Sequence, residues 1–350
     1  MNNKELIDKL YKYNSLNKAE LLYLLNTINN EDKNHLCEKA LKTRTKYYGD
    51  KVYVRGLIEF TNFCKNNCYY CGIRCSNKNI ERYRLILDKI LECAEIGYEL
   101  GYKTFVLQGG EDPYFTDEKI VEIIKILKEK YSDCAITLSI GEKSYDSYKK
   151  FFQAGADRYL LRHETATKEH YEKLHPENLK LINRMECLKN LKEIGYQVGA
   201  GFMVESPYQS NENLVEDLLY LKELEPHMIG IGPFIPHHDT IFKNEPTGTL
   251  EKTIIMIALT RLLLPKSLIP ATTALSTINS NGREAGFNAG ANVVMPNLSP
   301  TSVRSKYSLY DNKISLGDEA AECRDLIEKK IIAAGFSLDT SRGDNIAWNR

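Results

Sequence analysis

From about residue 51 onward, short apolar runs alternate with longer segments in which apolar residues recur at helical spacing. The segments DKILECAEIGYELG and EKIVEIIKILKEKY show the helical spacing, with charged residues on the opposite face. The short runs are VYVRGLIEF, KTFVLQ, CAITLSI, RYLLR, QVGAGFMV, MIGIGPF, LIPATTA and NVVMP. The pattern predicts eight strands, each followed by enough chain for a helix.

Eight alternating strands and helices favour an α/β fold, a (β/α)₈ TIM-type barrel with its active site at the C-terminal ends of the strands. An open doubly wound sheet would want a glycine-rich loop after the first strand, where this chain has cysteines. Residues 1–50 read as helices, and Asn17 with Glu20 three positions later forms a capping-box pattern. We therefore expect a helical extension over 1–50 and a barrel with a C-terminal closing segment over 51–350.

Composition limits the classes of function. The 350 residues are 43% hydrophobic and 27% charged, enough for a packed core, and the formal net charge is zero. This balance argues against binding nucleic acid through bulk positive charge. No apolar run approaches 18 residues, and MNNKELIDKLYKYN lacks the apolar core of a signal peptide. We therefore expect no membrane association, a cytoplasmic location, and nine cysteines kept as thiols.

Four cysteines follow the first predicted strand in TNFCKNNCYYCGIRC. Cys64, Cys68 and Cys71 have the spacing CxxxCxxC, and thiolates are soft ligands suited to iron–sulfur clusters or zinc. A structural zinc site wants four ligands, which Cys75 would have to complete. Three thiolates on a 4Fe–4S cluster instead leave one iron open for a ligand, and we favour this hypothesis with Cys75 as a bystander.

With an aromatic residue, Tyr70, just before the third cysteine, this loop resembles that of the radical S-adenosylmethionine (SAM) superfamily. The resemblance implies one 4Fe–4S cluster held by the three cysteines and SAM as the second cofactor. The open iron would chelate the amino and carboxylate groups of SAM. One electron from the cluster would then cleave SAM to methionine and a 5′-deoxyadenosyl radical.

The second predicted strand ends in Gly109, Gly110 and Glu111. Glycines permit close backbone approach, and a carboxylate accepts hydrogen bonds from an ammonium group. The string resembles the superfamily's GGE element, which implies contact with the methionine amino group. Without the cysteine loop before it, the same string would be an ordinary turn.

The fourth predicted strand ends in RYLLRHET, where alternation directs Arg162 and Glu164 to one side and His163 to the other. By resemblance, Glu164 would meet the ribose hydroxyls, with Arg162 and Arg184 near the methionine carboxylate. Met203 on the fifth strand would pack against adenine. A surface salt bridge for Arg184 and a core position for Met203 remain open as alternatives.

A narrower resemblance rests on VRGLIEFTNFCKNNCYYCGIR, VLQGGEDP, YLLRHETA, GIGPFIPHHDT, PATTAL and GANVVMPNLSP. Together these strings resemble the HydE family of [FeFe]-hydrogenase maturases, with biotin synthase and methylornithine synthase as relatives. Biotin synthase needs ligands for a second cluster, and Cys134 and Cys187 do not form such a set at strand ends. The methylornithine synthase reaction is disfavoured only by the GPFIPHHDT and PATTAL strings.

The HydE resemblance implies a radical reaction on a small cysteine-bound iron carbonyl cyanide precursor of the hydrogenase cluster. It also implies the maturases HydG and HydF as partners and ferredoxin or flavodoxin as electron donor. Two alternatives stay open: a radical carbon-skeleton mutase and a non-enzymatic iron–sulfur scaffold.

The barrel lumen offers hydroxyl, thioether and phenol groups as candidate substrate contacts, although hydroxyls there can simply bond to backbone. These candidates are Thr137, Ser139, Thr272, Thr273, Met295, Tyr307 and Tyr310.

Three further features qualify the resemblance. Some HydE proteins carry a second cysteine cluster near the C-terminus, where this chain has only Cys323, so we expect no second cluster. The loop ESPYQS replaces the GLPGQT-like turn of relatives, which puts carry-over to residues 206–209 in doubt. Adjacent residues on an extended strand face opposite sides, so we expect His237 and His238, at the end of the sixth predicted strand, to share no metal ion and to have a loop role.

Overall fold

The computed structural model describes residues 1–314, 321 and 324–348. Its helices are α1 (Asn3–Tyr13), α2 (Lys18–Thr27), α3 (Asn30–Tyr48), α4 (Leu87–Glu99), α5 (Asp117–Lys130), α6 (Tyr145–Ala154), α7 (Lys168–Leu174), α8 (Leu181–Ile194), α9 (Asn211–Leu224), α10 (Leu250–Leu263), α11 (Thr273–Ile278), α12 (Gly282–Asn288), α13 (Thr301–Arg304) and α14 (Arg324–Ala333). Its strands are β1 (Lys51–Val54), β2 (Gly56–Thr61), β3 (Thr104–Gly109), β4 (Ala135–Ser139), β5 (Arg158–Leu160), β6 (Gln197–Val204), β7 (Met228–Pro233), β8 (Val293–Val294) and β9 (Ser337–Asp339).

The first three helices begin with the same local device. Asn2, Asn17 and Asn29 each cap a helix in a capping box, in which the asparagine side chain and the third helical residue bond to each other's backbone N–H. The capping box predicted at Asn17 is therefore confirmed. Helix α3 packs against α10, which connects the helical extension to the barrel. The division into units at residue 50 stays a prediction.

Strands β2 to β7 form one parallel sheet in chain order. Hydrogen bonds close the sheet into a ring: the N–H of Ile229 donates to the carbonyl of Leu268, that of Ala271 to Val293, and that of Tyr53 to Asn292. The first predicted strand is thus split into β1 and β2, and the seventh is reduced to isolated bridges at Leu268 and Pro270. The predicted barrel is confirmed as an α/β fold. On the side of the seventh predicted strand, isolated bridges take the place of a regular strand.

The seventh predicted strand, 268–274, was too long, because helix α11 already begins at Thr273. Pro270 supplies the physical reason, since proline has no N–H to donate to a strand ladder. Helix α10 is buried from Thr253 to Leu263 against the barrel and α3. Within the described residues, no helix combines the length and the apolar character that a membrane crossing requires.

The last part of the described chain covers the N-terminal ends of the strands. Strand β9 pairs with β1, and the residues after it lie across the starts of β3, β5 and β6. The Arg158 guanidinium donates to the carbonyl of Arg342 and to Asp344, both at 2.6 Å. This end of the barrel is filled by protein, so the open cavity lies at the other end.

Candidate functional site

A cavity of about 380 Å³ opens at the C-terminal ends of the barrel strands. It brings together most of the residues that the sequence singled out. The predicted residues that line it are Cys64, Cys68, Tyr70, Cys71, Gly109, Gly110, Glu111, Ser139, Arg162, Glu164, Arg184, Met203, Thr272, Thr273, Met295, Tyr307 and Tyr310. Seven strand ends and the closing segment thus converge on one site.

One arginine makes four hydrogen bonds to the backbone of the cysteine loop and its flanks. The guanidinium of Arg82 donates to the backbone carbonyls of Asn62, Ile73, Arg74 and Asn77, at 2.5 to 3.1 Å. A loop without helix or strand has carbonyls that need partners when partly buried. Arg82 therefore fixes the path of the loop across both sides of the cysteines.

The three spaced cysteines are partly buried in the cavity wall, whereas Cys75 is exposed. Burial raises the pKa of the thiols of Cys64, Cys68 and Cys71, the last to about 12, so a bound metal would be needed to keep them as thiolates at neutral pH. Among the described residues, only His237, His238 and Asp239 form a group of three metal-ligand atoms within 4.8 Å of one another. The three sulfurs are therefore spread more widely than the roughly 3.8 Å that tetrahedral zinc ligation imposes.

The GGE turn is built against the cysteine loop. A side chain at Gly110 would place its first carbon 2.2 Å from the carbonyl oxygen of Phe63, so only glycine fits there. The N–H of Glu111 donates to the sulfur of Cys64 at 3.4 Å, and the N–H of Lys65 donates to the carbonyl of Glu111 at 2.9 Å. The turn thereby sets the Glu111 carboxylate beside the first cysteine.

Arg162 and Glu164 both face the cavity, as strand alternation predicts, and His163 is fully buried on the other side against Asp217. Glu164 has a left-handed φ of 66°, which turns its carboxylate into the cavity where the strand ends. Its Oε2 lies 3.2 Å from Nη2 of Arg162, but neither atom makes a hydrogen bond. Two half-buried charged groups thus face the cavity with bonding capacity unused at buried atoms.

Arg184 contacts a residue that the sequence did not single out. Its Nε lies 2.8 Å from Oε1 of Glu142, again with neither atom in a hydrogen bond. Although burial lowers the pKa of Arg184, the charge of Glu142 and smaller contributions from Tyr171, Tyr70 and Glu111 together outweigh it and raise the pKa above its ordinary value. Arg184 is thus paired inside the cavity wall, and a surface salt bridge is excluded by its burial.

The side of the cavity next to the third cysteine is aromatic. Met203 and Phe234 pack in one apolar cluster, against which Tyr70 lies. The Tyr70 hydroxyl is 3.3 Å from Nε2 of His175. A flat apolar surface of this kind suits an aromatic ring system better than a charged group.

The opposite side holds a second pair that sequence reasoning missed. Glu59, fully buried, accepts hydrogen bonds from Lys313 at 2.6 Å and from Asn297 at 2.8 Å. Lys313 also donates to the carbonyl of Tyr307 at 3.1 Å, which ties the closing segment over the cavity. The sequence did contain a signal for Glu59, because its carboxylate lies inside the apolar run GLIEFT and a charge in the core of a strand needs a partner.

Thr137 is not in the cavity. It lines a separate small space with Arg158, its register partner on β5, toward the filled end of the barrel. Ser139, two residues further along the same face, does reach the cavity. Two strand residues span more than 6 Å, enough to move a side chain from one layer of the lumen to the next.

His237 and His238 lie in the loop after β7, as expected, but their side chains do not face opposite sides. Their rings stack with centroids 4.4 Å apart, because the chain leaves the extended conformation after β7 and turns at these residues. His238 binds Asp311 of the closing segment at 2.6 Å, so the turn has a structural contact. In the ESPYQS loop, the side chain of Gln209 accepts a hydrogen bond from the N–H of Glu205 and donates one to the carbonyl of Met203 on β6. Cys323 lies outside the described residues.

The donor set fits an iron–sulfur cluster with SAM. Three thiols share one cavity wall, spaced too widely for a single tetrahedral ion. Beside them lie unbonded polar atoms of both signs, Oε2 of Glu164, Nη2 of Arg162 and Nε of Arg184. Such atoms suit a zwitterionic cofactor with ribose hydroxyls.

The sequence profile of the radical SAM superfamily matches residues 58–221 of the chain. The [FeFe] hydrogenase maturase subunit HydE of Thermotoga maritima is 46% identical over 96% of this chain and 95% of its own length. The 3-methylornithine synthase of Methanosarcina acetivorans is 30% identical over 89% and 88%, respectively.

Solved structures agree on the fold. The crystal structure of methylornithine synthase (PylB) superposes with a TM-score of 0.84 at 28% identity, covering 95% of this chain and 97% of that one. A structure of HydG, a maturase of the [FeFe]-hydrogenase, superposes at 0.81 with 22% identity, covering 97% and 76%. The chain belongs to the radical SAM superfamily, whose enzymes use a 4Fe–4S cluster and SAM, and within it to the family of the [FeFe] hydrogenase maturase subunit HydE.

Proposed function

We propose that this enzyme assembles the active-site cluster of [FeFe]-hydrogenase, acting on a small cysteine-bound iron carbonyl cyanide precursor. The observation that carries the proposal is the similarity to HydE of Thermotoga maritima, which extends over 96% of the chain. It therefore includes the residues on every side of the cavity and the closing segment over it.

Cys64, Cys68 and Cys71 would hold the cluster, which supplies the electron that cleaves SAM to a carbon radical. Glu111 beside Cys64 would bind the methionine ammonium, because its carboxylate is a charged acceptor at the cysteine loop. Arg184 would bind the methionine carboxylate through the Nη groups of its guanidinium. This assignment uses the charges that the cavity holds next to the cysteines.

Glu164 would accept hydrogen bonds from the ribose hydroxyls, with Arg162 beside it. Tyr70 and Met203 would pack against adenine, since they belong to the apolar side of the cavity. The ammonium, carboxylate and ribose groups of SAM would thus lie against charged residues, and its adenine base would lie against apolar ones.

The rest of the cavity would receive the precursor. Its wall there combines hydroxyl, thioether and phenol side chains with the Glu59–Lys313 pair. Oγ1 of Thr272 is buried without a hydrogen-bond partner, so it is free to bond to a ligand. The residues proposed for this end are Ser139, Thr272, Thr273, Met295, Tyr307 and Tyr310.

HydG and HydF would act with this enzyme, and a ferredoxin or flavodoxin would supply electrons. A maturase that makes a cluster precursor needs a preceding source of iron carbonyl cyanide and a following acceptor. HydG and HydF are assigned to these steps by the family resemblance alone.

A radical mutase of the 3-methylornithine synthase type is the second candidate. It is favoured by the PylB structure, which matches 95% of this chain at a TM-score of 0.84. The substrate of such a mutase would be lysine, the straight-chain isomer of methylornithine. Identity of 30% to the Methanosarcina acetivorans synthase against 46% to HydE makes it the weaker proposal.

An anaerobic reconstitution separates the two functions. Cluster-loaded enzyme is mixed with HydG, HydF, SAM, a reductant and hydrogenase that lacks its diiron unit, and hydrogen evolution is measured. We expect activity with the wild-type chain and none with the Cys64→Ser variant. A parallel reaction with lysine is analysed for 3-methylornithine by mass spectrometry. Methylornithine without hydrogen evolution would replace the maturase proposal with the mutase.

A further inference from the structure

The turn that follows β4 connects the two charged groups proposed to hold the amino-acid end of SAM. The N–H of Glu142 donates to Oε1 of Glu111 at 2.9 Å. The Glu142 carboxylate lies 2.8 Å from Nε of Arg184. One residue thus contacts the proposed ammonium site through its backbone and the proposed carboxylate site through its side chain.

The geometry of this turn depends on glycine. Gly141 has a left-handed φ of 75°, and a side chain there would place its first carbon 2.1 Å from Cγ of Glu111. The Glu111 side chain therefore packs directly on Gly141 before it reaches the N–H of Glu142. Both the position of Glu111 and the direction of the Glu142 side chain follow from this one backbone conformation.

The contact between Glu142 and Arg184 is a charge contact without a hydrogen bond. Both Nε of Arg184 and Oε1 of Glu142 lack a hydrogen-bond partner although they are 2.8 Å apart. Arg184 is almost fully buried, and a buried guanidinium needs a counter-charge. Glu142 supplies that charge on the Nε side, so the ligand would meet the guanidinium at its Nη groups.

We infer that Glu142 is a positioning residue for SAM: it orients Arg184 so that the outer edge of the guanidinium meets the methionine carboxylate. The inference rests on the proposed role of Arg184. A guanidinium binds a carboxylate best through two parallel bonds, and this requires a fixed plane. Glu142 acts on the carboxylate end of SAM only, because its backbone N–H serves Glu111 whichever side chain the residue carries.

The test compares two ligands by calorimetry on the cluster-loaded enzyme: SAM, and decarboxylated SAM, which keeps the ammonium, ribose and adenine. We expect Glu142→Ala to weaken SAM binding about tenfold, the loss of one oriented charged bond. Binding of decarboxylated SAM should change less than about twofold. Glu142→Gln keeps the size of the side chain but removes its charge, so it should weaken SAM binding about as much as Glu142→Ala.

Two further variants make the outcomes distinct. Arg184→Met should reduce the preference for SAM over decarboxylated SAM, although the open iron would still bind the carboxylate, and Glu193→Ala, an exposed change on the same helix α8, should alter neither ligand. If Arg184→Met keeps the full wild-type preference, the proposed carboxylate site is wrong. If Arg184→Met reduces it but Glu142→Ala weakens both ligands equally, or strengthens SAM binding, the positioning role is wrong while the site stands.

Discussion

Two groups of charges, one at each end of the barrel, differ in how far their facing atoms are hydrogen-bonded, although the Glu59–Lys313 pair at the open end is hydrogen-bonded as well. At the filled end, Arg158 donates to Thr104, to the carbonyl of Arg342 and to Asp344, and Gln197 also donates to Asp344. At the open end, the pairs Arg162–Glu164 and Arg184–Glu142 lie within 3.2 Å but leave the facing atoms without hydrogen bonds.

This difference separates a structural network from a binding site. Where charged groups are bonded to other parts of the chain, their role is to hold the strands and the C-terminal segment together. Where charged groups are paired by charge but keep unused donors and acceptors, a ligand can form the missing hydrogen bonds. Each of the following predictions alters one end of the barrel, and the changes at the filled end also test whether the two ends are coupled.

The largest effect is expected at the cysteine loop. Cys64→Ser, Cys68→Ser or Cys71→Ser should each abolish the 4Fe–4S signal and all SAM cleavage, because each thiolate is proposed as one of three protein ligands. In the wild type, added SAM should change the electron paramagnetic resonance spectrum of the reduced cluster, since one iron is open. A full cluster signal in any of the three variants would contradict the ligand assignment.

At the filled end, Asp344→Ala should lower the free energy of unfolding by about 3 kcal/mol, because it leaves the buried Arg158 without its carboxylate. Urea unfolding followed by circular dichroism measures this. The affinity of the folded variant for SAM should be unchanged. Reduced SAM affinity at full cluster loading would show that the two ends are coupled.

The same pair has a defined pH dependence. Burial alone would raise the pKa of Asp344, but the charge of Arg158 and the bond from Arg342 outweigh it and lower the pKa well below its usual range. The contribution of Asp344 to stability is therefore present above about pH 4 and decreases as the pH falls toward the folded-state pKa. The difference in unfolding free energy between wild type and Asp344→Ala should shrink over that acidic range.

At the open end, Glu111→Ala and Glu164→Ala should each weaken SAM binding about tenfold to a hundredfold, the loss of charged hydrogen bonds worth about 1.5–3 kcal/mol. The cluster spectrum should not change. Glu122→Ala, an exposed change on α5, is the control. Unaltered SAM affinity in both site variants would remove the GGE and RHE strand ends from the cofactor site.

The smallest effect is expected for Cys75→Ser. This cysteine is exposed at the end of the same loop, unlike the three that line the cavity. Iron content, cluster spectrum and SAM cleavage should all match the wild type. Loss of iron comparable to that of the other cysteine variants would mean that the cluster has four protein ligands.

Residues that follow a strand end in a recognisable string could be found from sequence. The cysteine triplet, GGE and RHE were predicted to share a site, and they line one cavity because parallel strand ends meet at one face. The scaffold alternative is set aside, because the chain belongs to a superfamily of enzymes. Glu142 and Lys313 were not found, since nothing in their local sequence indicates a partner more than 40 residues away.

The errors have a similar cause. Placing His237 and His238 on opposite faces assumed that a strand continues, but the chain turns there to meet Asp311. Thr137 and Ser139 were both predicted to contact substrate in the barrel lumen, although only Ser139 reaches the cavity. A periodic pattern gives the face of a strand and not the depth of a residue along the barrel.

The sequence by itself determined the barrel, the cysteine loop, the family and the strand ends that carry the site. These depend on local periodicity and on motifs within a few residues, which a linear reading contains. Only the tertiary structure decided which charge pairs with which, where the cavity ends, and which end of the barrel the C-terminal segment fills. Those outcomes depend on contacts between distant segments, such as Glu59 with Lys313 and Arg158 with Asp344, whose favourable energy exists only after the ring has closed.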